Sequence, residues 1–163
     1  ACIYAKTKDF PLTEESNTSP FNPYGNTKLT VEKLIEDIFN SPKNFFQIIT
    51  CTYGVRNFNN RKDGFSEIYR CLKKNGYFFI MEFGIPKRDL LKNPYKKFLK
   101  YVLPFTGSII SNDRHSYKYL ADSIISFPNQ NNLLKELINT GFSHIKTIDF
   151  ISGANSIYIV QKK

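Results

Sequence analysis

The sequence predicts an α/β fold, a parallel β-sheet with helices on both faces. Two observations lead to this prediction. The segments 45–52 and 77–83 are short, apolar and rich in β-branched or aromatic residues, as strands buried on both faces are. Between and after them, apolar residues recur every three or four positions, as they do along one face of a helix. Strands that alternate with helices favour parallel pairing, because each crossover helix packs back onto the sheet.

The first forty residues are predicted to form a strand end, a loop and a helix. Residues 1–5 are mostly apolar, whereas residues 6–23 contain three prolines among Ser, Thr and Asn, which is a loop composition. From Tyr24 the pattern becomes helical. Ser41-Pro42 is expected to end this helix, because the residue before a proline disfavours helical backbone. The apolar face of the helix consists of Leu29, Leu34, Ile35, Ile38 and Phe39.

A second helix is predicted between the two strands, with Asp63 as its cap and Asn75-Gly76 at its end. Residues 84–128 are predicted to be helical in patches. An amphipathic helix over 129–140, stopped by Gly141, then leads into strands at about 144–151 and 156–161. The order is β-α-β-α-β, a helical insertion, then α-β-β. The interruptions expected in the insertion are Pro86, Pro94, Pro104, Gly107 and Pro128.

Composition narrows the range of partners. The chain has 163 residues and a net charge of +9, which is compatible with a nucleic acid or an anionic membrane surface. The lysines are scattered and the five arginines do not cluster, so no nucleic-acid partner is expected. The three cysteines have no metal-ligand spacing, so no metal site is predicted, and their sparse, odd number suits a reducing compartment.

Three blocks of residues carry a family resemblance. They are 52–58 (TYGVRNF), 70–83 (RCLKKNGYFFIMEF) and the segment from Asn112 to Pro128 with its SYKYLADSI core. These blocks, and Ser152-Gly153 before the last strand, resemble in order the C-terminal half of quinone-biosynthesis methyltransferases of the UbiE type. The resemblance covers about 41–163.

This resemblance implies a partial Rossmann-like sheet that is truncated at its N-terminal half and has an antiparallel last strand. It implies an S-adenosylmethionine-dependent C-methyltransferase that acts on a polyprenyl benzoquinol or naphthoquinol. Thr52 would contact the S-adenosylmethionine, and Arg56 would be catalytic beside the methyl-acceptor carbon, where its fixed charge could orient a water or stabilise a quinol oxyanion. The residues expected on the substrate side are Asn57, Glu82, Tyr117 and Tyr119.

Structural alternatives stay open for each of these residues. Arg56 could cap a helix or pair with Asp63, and Glu82 could be a strand-end carboxylate satisfied by its neighbours. Tyr117 and Tyr119 could be packing residues. The insertion at 84–128 would form a lid whose apolar residues either line the polyprenyl site or pack ordinarily. The residues considered for that wall are Phe98, Tyr101, Val102, Leu103 and Phe105.

The family pattern is also interrupted. The family has a Gly-rich loop after its first strand, but the eight glycines of this sequence are dispersed and form no such loop. The acidic residue with which the family binds the cofactor ribose is also missing from this sequence. Lys74-Asn75 stands where Pro-Gly is usual in the family. We therefore expect impaired binding of S-adenosylmethionine by this chain.

Residues 1–40 resemble a different family, the UDP-glucose 4-epimerases of the extended short-chain dehydrogenase type. The resemblance is carried by Pro23-Tyr24-Gly-Asn-Thr-Lys28. Tyr24 and Lys28 are one helical turn apart. In that family, the lysine lowers the tyrosine pKa so that the tyrosine acts as acid and base beside NAD. Tyr24 and Lys28 are therefore the alternative catalytic pair, with NAD as the alternative cofactor.

Three hypotheses follow for the whole chain. It is an S-adenosylmethionine-dependent methyltransferase, an NAD-dependent sugar-nucleotide epimerase or dehydrogenase fragment, or a non-catalytic chimeric α/β fragment. The expected organisation is an epimerase-like segment over 1–40 and a methyltransferase-like part over 41–163, folded as one domain. A cytoplasmic location is expected, and a polyprenyl substrate leaves peripheral membrane contact open.

Overall fold

The computed structural model describes residues 40–110 and 114–163, with the side chains of Ile110 and Arg114 outside that description. Residues 42–163 form one compact unit, and the α/β prediction is confirmed there. Its strands are β1 (Phe46–Thr52), β2 (Leu72–Phe83), β3 (Phe142–Phe150) and β4 (Asn155–Lys162). Its α-helices are α1 (Arg61–Cys71), α2 (Asp89–Lys97), α3 (Leu103–Ile110), α4 (Arg114–Ser126) and α5 (Gln130–Thr140). A 3-10 turn over Val55–Asn57 follows β1, a π-helical turn over Phe98–Val102 joins α2 to α3, and a 3-10 turn over Ile151–Gly153 precedes β4.

The four strands form one mixed sheet in the order β1-β2-β4-β3. β1 and β2 are parallel, whereas β4 is antiparallel to both β2 and β3. The prediction of an antiparallel last strand is therefore confirmed. β3 runs in the same direction as β1 and β2, so the carboxyl ends of three strands meet at one edge of the sheet. In open α/β sheets this edge is where ligands bind.

One face of the sheet carries the main core. On β2, Phe78 and Ile80 are completely buried, and the aromatic ring of Phe78 meets Phe65 of α1 with 6.4 Å between the ring centroids. α5 contributes Leu133 and Leu137, which are also completely buried. Burying a side chain of this size is worth about 1.5–3 kcal/mol, so α1 and α5 are held to the sheet mainly by apolar packing.

The start of α1 corrects one expectation. The cap is Asn60, and Asp63 lies in the first turn. Asn60 has extended backbone, and its Oδ1 accepts hydrogen bonds from the backbone N–H groups of Lys62 and Asp63. An asparagine just before the first turn satisfies those amides directly, which an aspartate inside the turn cannot do.

The end of α1 corrects a second expectation from the sequence. The helix stops at Cys71, before the expected Asn75-Gly76, because Leu72 adopts extended backbone and buries its side chain completely. Between the β1–β2 pairs Phe46–Leu72 and Ile48–Tyr77, β1 advances two residues and β2 advances five. The extra residues form an irregular excursion, and Asn75 takes the positive φ of 62° within it.

The insertion at 84–128 is more continuous than expected. Pro94 lies inside α2, and Pro104 and Gly107 lie inside α3, so none of these three interrupts a helix. The π-helical turn ends two residues before Pro104, which has no N–H to donate into the preceding turn. A separate small core holds the insertion together, formed by Leu99, Ala121 and Ile124 with Phe83, Ile85, Tyr95, Leu103 and Leu120.

Gly107 sets the distance between α3 and α4. A Cβ atom at this position would lie 2.3 Å from Cγ and Cδ2 of Tyr117. These atoms lie close to the backbone of α4, so the ring cannot rotate away from a new methyl group. The two helices therefore approach each other closely only because residue 107 has no side chain.

We predict that Gly107→Ala destabilises the protein. In an ordinary helix this change gains about 0.5–1 kcal/mol, but overpacking against Tyr117 costs about 1–3 kcal/mol, so the net sign is reversed. Urea unfolding followed by circular dichroism measures the difference. Ser108→Ala on the same helix is the control and should be nearly neutral; a stabilised Gly107→Ala variant would contradict the packing described here.

We also predict that two neighbouring residues of α5 respond very differently to truncation. Leu137→Ala removes a completely buried side chain and should cost about 2–5 kcal/mol. Ile138→Ala removes a side chain that is half exposed and should cost well under half as much. Equal losses in the free energy of unfolding would mean that α5 packs through a different face.

Candidate functional site

The candidate site lies where β1 and β2 end side by side. Thr52, the last residue of β1, is the register partner of Met81, and β2 ends just beyond at Glu82 and Phe83. The chain then leaves β1 through Tyr53-Gly54 into the 3-10 turn that carries Arg56 and Asn57. The predicted residues from two blocks are thus brought together by parallel pairing.

A buried ion pair joins the two strand ends. Arg56 Nη1 lies 2.5 Å from Glu82 Oε1, and the side chains are 7% and 0% exposed. Glu82 also accepts hydrogen bonds from the backbone N–H groups of Arg56 (3.2 Å, to Oε2) and Phe83 (3.0 Å, to Oε1). The alternative pairing of Arg56 with Asp63 is therefore wrong: Asp63 instead accepts a hydrogen bond from Asn60 Nδ2.

The burial of this pair governs the local electrostatics. Burial raises the pKa of Glu82, and the Arg56 guanidinium and the two N–H donors oppose that rise. Burial and the nearby Glu82 carboxylate also raise the pKa of Cys51 to about 11. The Cys51 thiol is therefore held in its neutral form at pH 7, which disfavours nucleophilic attack.

Tyr53 contacts several residues of the site through its backbone and its side chain. The sequence analysis assigned it no role. Its backbone has the unusual φ of 56°, and its carbonyl oxygen accepts hydrogen bonds from Arg56 Nη1 (2.8 Å) and Asn57 Nδ2 (3.4 Å). Its ring stacks on Phe83 with centroids 4.3 Å apart, and its hydroxyl accepts a 2.6 Å hydrogen bond from Asn155 Nδ2. A left-handed backbone at a non-glycine residue costs energy, and these contacts hold it in place.

The insertion contacts the site through one of its two predicted tyrosines. Tyr119 on α4 donates a 3.1 Å hydrogen bond from its hydroxyl to Asn57 Oδ1. Tyr117, one half-turn earlier, packs its ring against Gly107. The structure thus brings Asn57 and Tyr119 together beside Arg56, and it places Tyr117 in the α3–α4 contact.

A row of polar residues extends the site across the sheet, and the sequence analysis missed it. Ser156 on β4 is the register partner of both Glu82 on β2 and Asp149 on β3. Its hydroxyl donates a 2.7 Å hydrogen bond to Asp149 Oδ1, and Asp149 also pairs with Lys87. These residues are far apart in the sequence, and no local pattern marks them.

The remaining predicted positions are Thr52, Tyr24 and Lys28. Thr52 is exposed at the end of β1. Tyr24 and Lys28 lie outside the described residues.

A groove of about 700 Å³ lies between the start of α1 and α5, but its lining contains none of the predicted site residues. Across the residues that the structure describes, His, Cys, Asp and Glu form no group suited to a metal ion.

Comparison with known proteins identifies the family. The model of the ubiE/COQ5 methyltransferase family matches residues 29–162. The ubiquinone/menaquinone biosynthesis C-methyltransferase UbiE of Francisella tularensis subsp. novicida is 34% identical over 121 residues, which are 74% of this chain and 48% of that protein. UbiE of Blochmanniella pennsylvanica is 32% identical over 120 residues, 74% of this chain and 47% of the relative. The chain thus spans about half the length of the curated relatives it matches.

Comparison of structures agrees on the fold. A SAM-dependent methyltransferase of Thermotoga maritima superimposes with a TM-score of 0.52 at 15% identity, covering 76% of this chain and 59% of the other. The family match begins at Leu29, earlier than the expected boundary near residue 41, and the comparisons lend no support to an epimerase-like segment over 1–40. The chain therefore belongs to the ubiE/COQ5 methyltransferase family.

Proposed function

We propose that this protein serves as an S-adenosylmethionine-dependent C-methyltransferase that acts on a polyprenyl benzoquinol or naphthoquinol. The observation that carries the proposal is the buried Arg56–Glu82 pair at the carboxyl ends of β1 and β2, in a chain 34% identical to a ubiquinone/menaquinone biosynthesis C-methyltransferase. Because the chain spans about half of such relatives, it would supply the acceptor side and the lid of the site.

The described residues offer only part of what S-adenosylmethionine needs. The exposed Thr52 hydroxyl at the end of β1 can donate or accept a hydrogen bond, and it would contact the cofactor. Among the described residues, the carboxylate at the ends of β1 and β2 is Glu82, which is engaged with Arg56. When bound, S-adenosylmethionine supplies an electrophilic methyl group.

Arg56 would act on the acceptor. A quinol ring carbon is nucleophilic enough to attack a methyl group when a ring hydroxyl has lost its proton, and a fixed guanidinium nearby stabilises the negative charge on that oxygen. The new C–C bond consumes this charge, and the ring carbon then releases its own proton to water. Nη1 of Arg56 is occupied by Glu82 and Tyr53, whereas Nε is a buried donor without a partner among the described residues. Glu82 would hold the guanidinium in position, and Nε would be the donor available to an acceptor oxygen.

The remaining assignments concern the substrate side. Asn57 and Tyr119 already share a hydrogen bond and would contact the quinol ring once that bond is exchanged for one to the substrate. Tyr117 would then support Tyr119 from the α3–α4 contact. A polyprenyl tail partitions into lipid, so we place the protein in the cytoplasm at, or in exchange with, a membrane surface. None of the described helices has both the length and the apolar character of a membrane span.

We predict methyl transfer from labelled S-adenosylmethionine to a short-chain, demethylated naphthoquinol or benzoquinol kept reduced during the assay. The rate should be low, because the glycines of this sequence form no Gly-rich cofactor loop. The label should appear on a ring carbon, which mass spectrometry of the product identifies. Label on a ring oxygen would contradict C-methylation. Copurified NAD together with no binding of S-adenosylmethionine in calorimetry would favour the alternative that invokes Tyr24 and Lys28.

We further predict that Arg56 contributes to both stability and catalysis, and that two substitutions separate these roles. Arg56→Met leaves Glu82 buried without its partner and should cost about 3–5 kcal/mol in the free energy of unfolding. Arg56→Lys retains a charge for Glu82 but loses the guanidinium donors, so kcat should fall about a hundredfold while much of the stability remains.

The control is the pair Arg61–Glu136, whose side chains are 31% and 35% exposed. Arg61→Met should cost no more than about 1 kcal/mol, since water screens this pair. If Arg56→Lys retained full kcat, Arg56 would have no role beyond holding the strand ends together.

A further inference from the structure

The helical rod of the insertion has apolar residues on a buried side and on an exposed side. α2, the π-helical turn and α3 follow one another from Asp89 to Ile110. The inner side contributes the buried Leu99 and the partly buried Leu103 to the insertion core. The outer side carries an outer stripe of large apolar residues that recur every three or four positions and are 44–67% exposed: Phe98, Tyr101, Val102, Phe105 and Ile109.

The outer stripe is larger than a scatter of surface apolar residues. Five neighbouring large side chains on one helical face form the kind of contiguous apolar patch that marks an interaction surface. Four of them were candidates for an apolar wall around the polyprenyl tail, and Leu103, the fifth candidate, packs in the insertion core instead. The four are exposed on the surface of the described unit.

The same helical rod carries exposed basic side chains, which are called its basic margins below. Arg88, Lys96, Lys97 and Lys100 are exposed, and Lys100 Nζ lies 5.5 Å from the centroid of the Tyr101 ring. Asp89 at the start of the rod pairs with Lys92, and no acidic residue follows between residues 90 and 110. The rod therefore combines an exposed apolar stripe with exposed basic side chains, and Lys100 lies at the edge of that stripe.

We propose that the outer stripe docks on an anionic lipid surface. The aromatic and aliphatic side chains would enter the boundary between headgroups and acyl chains, and the lysines would reach lipid phosphates beside them. This arrangement complements a membrane, in which anionic groups lie directly above apolar chains. This docking proposal depends on the proposed function in one respect, that the substrate is a lipid.

Charge also argues against a second copy of the chain as the occupant. Each copy carries a net charge of +9, and a two-fold contact through the outer stripe would bring two sets of basic margins together. Like charges across an interface oppose association. An anionic surface removes that repulsion and replaces it with attraction.

Cosedimentation with vesicles, without S-adenosylmethionine or quinol, tests the apolar part. The protein should bind vesicles of equal parts phosphatidylglycerol and phosphatidylcholine, and bind vesicles of phosphatidylcholine alone much more weakly. Phe98→Ser with Phe105→Ser should weaken binding at least about tenfold, because burial of apolar area drives insertion. The matched control is Ile138→Ser with Ile145→Ser, two residues exposed to a similar degree elsewhere, and it should bind as the unmodified protein does.

A second pair of variants tests the basic margins. Replacing Lys96, Lys97 and Lys100 by Glu should weaken binding about a hundredfold or more, since each basic residue near an anionic surface contributes severalfold. Replacing the exposed Lys43, Lys73 and Lys74 by Glu changes the net charge by the same amount at other positions. This control should lose much less binding.

Several results would overturn the proposal. They are no binding to anionic vesicles, equal losses in the stripe variants and their controls, or a protein dimer that the stripe substitutions convert to a monomer. Circular dichroism of each variant separates these results from unfolding. Methyl transfer plays no part in the vesicle assay, so a failure of the proposed function and a failure of membrane docking remain distinguishable.

Discussion

The buried ion pair between Arg56 and Glu82 is the constraint on which the strand-end edge depends. A carboxylate that is completely buried at the end of β2 is costly unless it is paired and hydrogen-bonded. One guanidinium and two backbone N–H groups meet that requirement. The pair can form only if the turn after β1 folds back over β2, and Tyr53 adopts its left-handed backbone where the chain makes that turn. The same geometry turns the Tyr53 carbonyl toward Arg56 and Asn57.

The polar residues beyond this pair follow from sheet order. Because β4 lies between β2 and β3, Ser156 is the neighbour of Glu82 on one side and of Asp149 on the other. Burial raises the pKa of Tyr158 on the same strand to about 12, so its hydroxyl stays protonated throughout the neutral range. Polar groups are thus concentrated at one edge of a sheet whose centre is apolar. This separation lets the core stabilise the fold while the edge remains available for chemistry.

The helical rod of the insertion has a packed inner side and an exposed outer side. Its inner side packs on a small core of its own, and α4 reaches the strand ends through the Tyr119–Asn57 hydrogen bond. Its outer side is apolar, and Lys100 lies beside the Tyr101 ring on that side. If that side rests on a membrane, the rod connects the lipid phase to the residues around Arg56 through a single packed unit. A lipid substrate would then reach the site without crossing much water.

The amino-acid sequence by itself determined the alternation of strands and helices, the helix end at Gly141, and the blocks that place Arg56, Asn57 and Glu82 near one another. Periodicity and local turn chemistry are sufficient for the alternation and the helix end, because they act within a few residues, whereas the blocks were identified by their resemblance to a family. Only the tertiary structure decided that Arg56 pairs with Glu82, that Tyr53 bonds to Asn155, and that Ser156 joins Asp149 to the edge. Such partners depend on the register between strands distant in sequence, where a slip of one residue would turn Glu82 to the opposite face.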